Sequence, residues 1–154
     1  GAAVPTYRLQ QAQLQGLTYP ETPGLSYSIE PPSTAVILNE TTSLPVYLTL
    51  INATASPLQL HYASMQHFDV ELNDEYGDLV YRWSDGKFFA QVLNNMTLDP
   101  GQRRRVGTRL ATTELLLAGV APGSYTMTLR FFGKTTAAPT EAMTFTVPVQ
   151  LLRH

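Results

Sequence analysis

The stretch Leu44-Pro45-Val46-Tyr47-Leu48-Thr49-Leu50-Ile51 decides the fold. Leu44, Val46, Leu48 and Leu50 alternate with Pro45, Tyr47, Thr49 and Ile51, which is the two-residue period of a strand with one face on a core. The period recurs at Leu58-Leu60-Tyr62, at Phe68-Val70-Leu72 and at Tyr125-Met127-Leu129-Phe131. A last apolar run, Met143 to Leu152, contains Phe145, Val147, Val149 and Leu151. Pro148 removes a ladder donor from that run, so an edge position or a bulge is expected there. Turn signals separate the runs: Asn52 to Pro57, Asn73 to Asp78, Asp85-Gly86, Asp99-Pro100-Gly101 and Pro122-Gly123. Short strands punctuated by turns, rather than strands alternating with helices, predict an all-β antiparallel sandwich.

Leu116 to Tyr125 reads as a corner leading into a strand that opens on tyrosine. In immunoglobulin-like domains such a tyrosine hydrogen-bonds back to upstream backbone and fixes a Greek-key crossover; the alternative is a half-buried strand aromatic with no corner role. The expected architecture is therefore an immunoglobulin-like β-sandwich with Greek-key connections.

The length of 154 residues, 44% of them hydrophobic, suits one well-filled core. Residues 1 to 24, Gln-rich between Gln10 and Gln15 and broken by Pro5, Pro20 and Pro23, read as an extended lead-in, which assigns the domain to residues 25–154. A formal charge of −2 offers no basic excess for phosphates, so nucleic acid is not an expected partner. With no cysteine, disulfides and thiolate chemistry are excluded. No apolar run reaches the ~18 residues a membrane span needs. The opening Gly1-Ala2-Ala3 is compatible with a processed start, in which case the protein would be an envelope or secreted one.

Val80-Tyr81-Arg82-Trp83-Ser84-Asp85-Gly86-Lys87-Phe88-Phe89-Ala90-Gln91-Val92-Leu93 combines a strand end, a reversal and a short apolar piece. Asp85-Gly86 lets the chain turn just after the only tryptophan. Ser84 or Asp85 can cap a short helical turn, and Phe88 or Phe89 with Val92 and Leu93 has the spacing of one helical face, with Trp83 packed beneath it. This stretch resembles the intracellular proteinase inhibitor family known from Bacillus, whose members carry a similar aromatic-Arg-Trp-Ser-x-Gly-Lys-x-Phe segment; Tyr81 stands where the family commonly has tryptophan. The similarity extends upstream through Tyr62-Ala63-Ser64 and Phe68-Asp69-Val70 to Asp78, and downstream to Leu98-Asp99-Pro100-Gly101 and Pro122-Gly123-Ser124-Tyr125. The resemblance implies an immunoglobulin-like sandwich in the cytoplasm that binds and inhibits a serine proteinase of the subtilisin type. The alternative is a non-inhibitory interaction or structural module of the cell envelope.

Arg82, Trp83, Asp85, Lys87 and Phe88 are the candidate partner-binding residues, because large aromatics and arginine dominate interface energetics while charges suit the rim. The competing reading makes Trp83 and Phe89 core residues that build the fold. His61, His67 and His154 invite a metal reading, with Asp69 and Glu71 alternating after His67. On a strand, however, His67, Asp69 and Glu71 share one face, expected to be solvated, and a same-face row is not the converging set that zinc requires. No metal and no cofactor are expected. Catalytic motifs are missing too: there is no Gly-x-Ser-x-Gly elbow, no phosphate-binding glycine loop and no His-Glu-x-x-His, so no enzymatic activity is expected. Arg103-Arg104-Arg105 reads as an edge strand kept soluble by charge, with at least one arginine directed inward or lying along the sheet with its stem packed.

Overall fold

The structure is a computed structural model and describes residues 24–30, 34–135 and 142–154. The lead-in expected over residues 1–24 falls, but for Gly24, outside the described residues. In chain order the elements are β1 (Leu25–Glu30), β2 (Thr34–Ile37), β3 (Ser43–Asn52), β4 (Leu58–Tyr62), β5 (Phe68–Asn73), β6 (Leu79–Arg82), β7 (Asn94–Leu98), β8 (Arg103–Ala111), a short helix α1 (Thr112–Leu117), β9 (Gly123–Phe131) and β10 (Met143–Leu152).

The strands form a three-stranded sheet in the order β1-β3-β8, a five-stranded sheet in the order β2-β10-β9-β5-β6, and a β4-β7 ribbon. Successive strands repeatedly leave one sheet for another, as a Greek-key sandwich requires. One pair departs from the antiparallel expectation: β2 runs parallel to β10, with Thr34 to Ile37 opposite Val149 to Leu152.

β3 alternates as its sequence predicts, with Leu44, Val46, Leu48 and Leu50 buried at every second position. They join Val70 and Leu72 of β5, Met127, Leu129 and Phe131 of β9, and Phe145, Val147 and Val149 of β10 in one core. Each leucine or valine so buried contributes roughly 1.5–3 kcal/mol relative to exposure, so the alternation itself fixes register; a one-residue slip would turn the whole row to solvent. Pro148 lies opposite Thr126 on β9, one residue before β10 acquires β2 as its second neighbour. Up to that point β10 pairs only with β9 among the described residues, which is the edge position expected for a strand proline. At Tyr125 the structure takes the corner form, with the phenol donating to the Ala121 carbonyl at 2.5 Å.

The arginine run is the outer strand of the three-stranded sheet, and Arg103, Arg104 and Arg105 are all exposed. None points inward. Arg105 lies over the Tyr47 ring at 3.6 Å and pairs with Glu30 at 2.9 Å. Further along β8, Gly107 (φ 148°) passes so close to β3 that a Cβ there would meet the Val46 carbonyl oxygen.

Candidate functional site: the turn and loop after β6

β6 ends beside β5, with Glu71 opposite Arg82 and the Trp83 N–H donating to the Val70 carbonyl at 2.8 Å. The chain then reverses: the Asp85 N–H donates to the Arg82 carbonyl (3.2 Å) and the Lys87 N–H to the Ser84 carbonyl (3.0 Å), with Gly86 at φ 81°. The expected helical piece is not formed. Residues 87–93 lack regular structure, because the backbone N–H groups a helix would need pairing are not paired within this segment and its apolar side chains do not face one surface. Phe88 is 99% exposed, Leu93 82% and Val92 55%, whereas Phe89 turns back onto Trp83.

Trp83 is half-buried at the margin of the core, stacked on Phe68 at 4.4 Å between ring centroids. Its other neighbours belong to the loop: Phe89 at 5.9 Å, and the Lys87 ammonium 4.7 Å from the ring centroid and donating to the Trp83 carbonyl at 2.8 Å. The two readings of these aromatics therefore divide by residue. Trp83 and Phe89 pack, while Phe88 projects.

Polar contacts from β5 hold the turn from below, and here the expectation of a solvated face at His67, Asp69 and Glu71 is overturned. Asp69 and Glu71 are buried, at 6% and 7% exposure. Asp69 accepts the Ser84 N–H (3.1 Å) and hydroxyl (2.5 Å) along with the Val70 N–H (2.8 Å). Glu71 accepts from Arg82 Nη2 at 2.9 Å and Arg130 Nε at 2.5 Å. Burial pushes the Glu71 carboxyl up, but hydrogen bonds and charge from Arg130 and Arg82 outweigh it and hold the group below the usual carboxylate range. The strand period places these residues on one face correctly, but it carries no information about what covers that face. Glu71 with Arg82 across β6 and Arg130 on β9 was the available signal.

Arg82, Trp83, Asp85 and Lys87 converge on a groove of about 300 Å³ completed by Tyr81 and by Glu114 and Ala118 around α1. Tyr81 donates to Glu114 at 2.6 Å, and its ionisation is shifted upward by burial first and by that carboxylate second. Phe88 stands outside the groove at the loop tip. Sequence reasoning passed over Glu114, Val92 and Leu93 as site residues; adjacency to Phe88 was the only hint for the last two.

His61 and His67 bind asparagine side chains of β7, Asn95 and Asn94, each at 2.8 Å, and His67 also stacks on Tyr62 at 3.8 Å. Among the described residues no three His, Cys, Asp or Glu are grouped to hold a metal ion. No helix among them is long and apolar enough to cross a membrane.

These features define an immunoglobulin-like sandwich with a tethered, apolar-tipped loop after β6. The profile of the intracellular proteinase inhibitor family (BsuPI) matches residues 34–136, about two thirds of the chain, and the chain belongs to that family. The family is one of non-enzymatic inhibitors of proteinases. A search of curated proteins finds no match. Among solved structures, a family 123 glycoside hydrolase from Clostridium perfringens is similar at 11% identity and a TM-score of 0.51, covering 84% of this chain. This chain spans 28% of that enzyme, and the likeness is one of fold alone. A CARDB domain from Pyrococcus furiosus (15% identity, TM-score 0.39, 88% of this chain and 99% of that one) and the PapD-like domain 7 of human CEP192 (15%, 0.38, 89% and 91%) are also similar.

Proposed function

We propose that this protein inhibits a serine proteinase of the subtilisin type in the cytoplasm, and that the turn and loop from Arg82 to Leu93 are its contact surface. The observation that carries this reading is Phe88: a fully exposed phenylalanine on a loop whose base is fixed by Trp83 and Asp69. Exposed large apolar groups on anchored loops suit insertion into a partner's pocket, since the anchoring lowers the entropy lost on binding. In this reading Phe88 enters the partner, Arg82, Asp85 and Lys87 form the charged rim, and Trp83 supports the loop from within.

Titrating the protein into a subtilisin-like intracellular protease should abolish peptide hydrolysis at a stoichiometric end point. Ordinary digestion of the protein, or undiminished hydrolysis at large excess, would reject inhibition and leave the envelope-module alternative.

A further inference from the structure

Resting on the inhibitor reading, we infer how the loop is used: Phe88 fills the primary pocket of the protease, the Phe88–Phe89 peptide bond is the one presented to its serine, and the Trp83 indole keeps the two sides of that bond together.

Three observations point the same way. Phe88 combines a side chain free of intramolecular contact with a backbone N–H and carbonyl that have no hydrogen-bond partner among the described residues. A protease reading a substrate needs both, because it recognises the side chain in a pocket and the main chain by strand-like pairing. The neighbours of Phe88 are held from opposite sides by one group, with the Lys87 ammonium 4.7 Å from the Trp83 ring centroid and the Phe89 ring 5.9 Å from it. Beyond them each arm is fastened separately. On the N-terminal side the Lys87 N–H bonds the Ser84 carbonyl, and Ser84 is held by Asp69. On the C-terminal side the Ala90 carbonyl accepts from the Met65 N–H at 2.9 Å, and the Asn94 amide donates to the carbonyls of Ser64 and Val92, both at 2.9 Å.

The anchors give the chemistry a direction. Attack by the serine oxygen on the Phe88 carbonyl carbon forms an ester and breaks the C–N bond. The proton lost by the serine passes through the protease histidine to the Phe89 nitrogen, which becomes an amine. In an ordinary substrate that amine diffuses away and water completes hydrolysis to a Phe88 carboxylate. Here Phe89 remains on Trp83 and Ala90 on Met65, so the amine stays beside the ester at high effective concentration and resynthesis of the peptide bond competes with water. The complex persists because its cleavage is reversible.

The test uses the full chain with a subtilisin-like protease. Phe88→Gly should weaken inhibition at least ~100-fold, the scale of a central interface residue, while the thermal midpoint stays unchanged. Phe88→Arg should transfer inhibition to a trypsin-like protease, whose pocket carries a carboxylate. Mass spectrometry of long-incubated complex should find a minor cut form ending at Phe88 and beginning at Phe89, and Trp83→Ala should drive that cut to completion. Inhibition by Phe88→Gly and Phe88→Arg within about twofold of wild type, or a cut at another bond, overturns the assignment while leaving the inhibitor reading intact. Failure of the wild-type protein to inhibit overturns both.

Discussion

Replacing Glu71 by Gln tests whether the buried carboxylate organises the turn. In the wild type it receives Arg82 through Nε (3.2 Å) and Nη2 (2.9 Å) and Arg130 through Nε (2.5 Å), with only 10% of its side chain exposed. A charge-assisted hydrogen bond contributes about 1.5–3 kcal/mol when desolvated and an exposed ion pair at most about 1. The two arginine side chains are 40% and 43% exposed, so a value near 1 kcal/mol for each arginine is the appropriate scale. Glutamine is neutral and turns an NH2 toward one guanidinium, so the expected loss at pH 7 is about 2 kcal/mol. Urea unfolding followed by circular dichroism reads this as a midpoint lower by roughly 1 M at a typical slope. The pH dependence has a definite sign. Because the folded-state pKa is depressed, the stabilisation is complete above the unfolded-state value of about 4.3 and is lost as pH falls through the folded value. The gap between wild type and Glu71→Gln should therefore be constant from pH 7 to 5 and close on further acidification. A gap below about 0.5 kcal/mol at pH 7, or one that persists in acid, refutes the reasoning.

Gly107→Ala should destabilise by more than about 3 kcal/mol or abolish folding, because its Cβ would strike the Val46 carbonyl at a φ that L-residues rarely adopt; soluble yield and thermal midpoint report it. Tyr125→Phe removes the corner bond to Ala121 and should cost about 1 kcal/mol in urea unfolding with the fold retained. Changing Arg103, Arg104 and Arg105 together to Ser should leave protease inhibition within about twofold, since these exposed residues lie on β8 in the other sheet; a tenfold loss in an inhibition titration would instead make β8 part of the contact.

The strands that alternate cleanly were legible in the sequence. Leu44 to Leu50 and Phe145 to Leu151 each bury one face and expose the other, so local pattern and tertiary role coincide. β2 was not legible, because Thr34 to Ile37 is short and its parallel pairing with β10 depends on residues more than a hundred positions away. The face carrying Asp69 and Glu71 was misread for a related reason: polar residues at alternate strand positions signal solvent unless another part of the chain covers them, and here the turn after β6 and two arginines do. At the site, Trp83 and Asp85-Gly86 correctly marked a reversal. The helical spacing of Phe88 and Phe89 with Val92 and Leu93 was a coincidence of composition that no hydrogen bonding supports.

The position of β10 bears on how the protein is made. This strand lies between β2 and β9 and contributes Phe145, Val147 and Val149 to the core, yet it follows the family-matched segment. During vectorial synthesis β9 and the short β2 must wait with open edges until residues 143–152 leave the ribosome, a delay in which long-range strand pairing is exposed to wrong partners. An expression boundary drawn at residue 136 would make that transient condition permanent, leaving the Met127, Leu129 and Phe131 edge as a template for association.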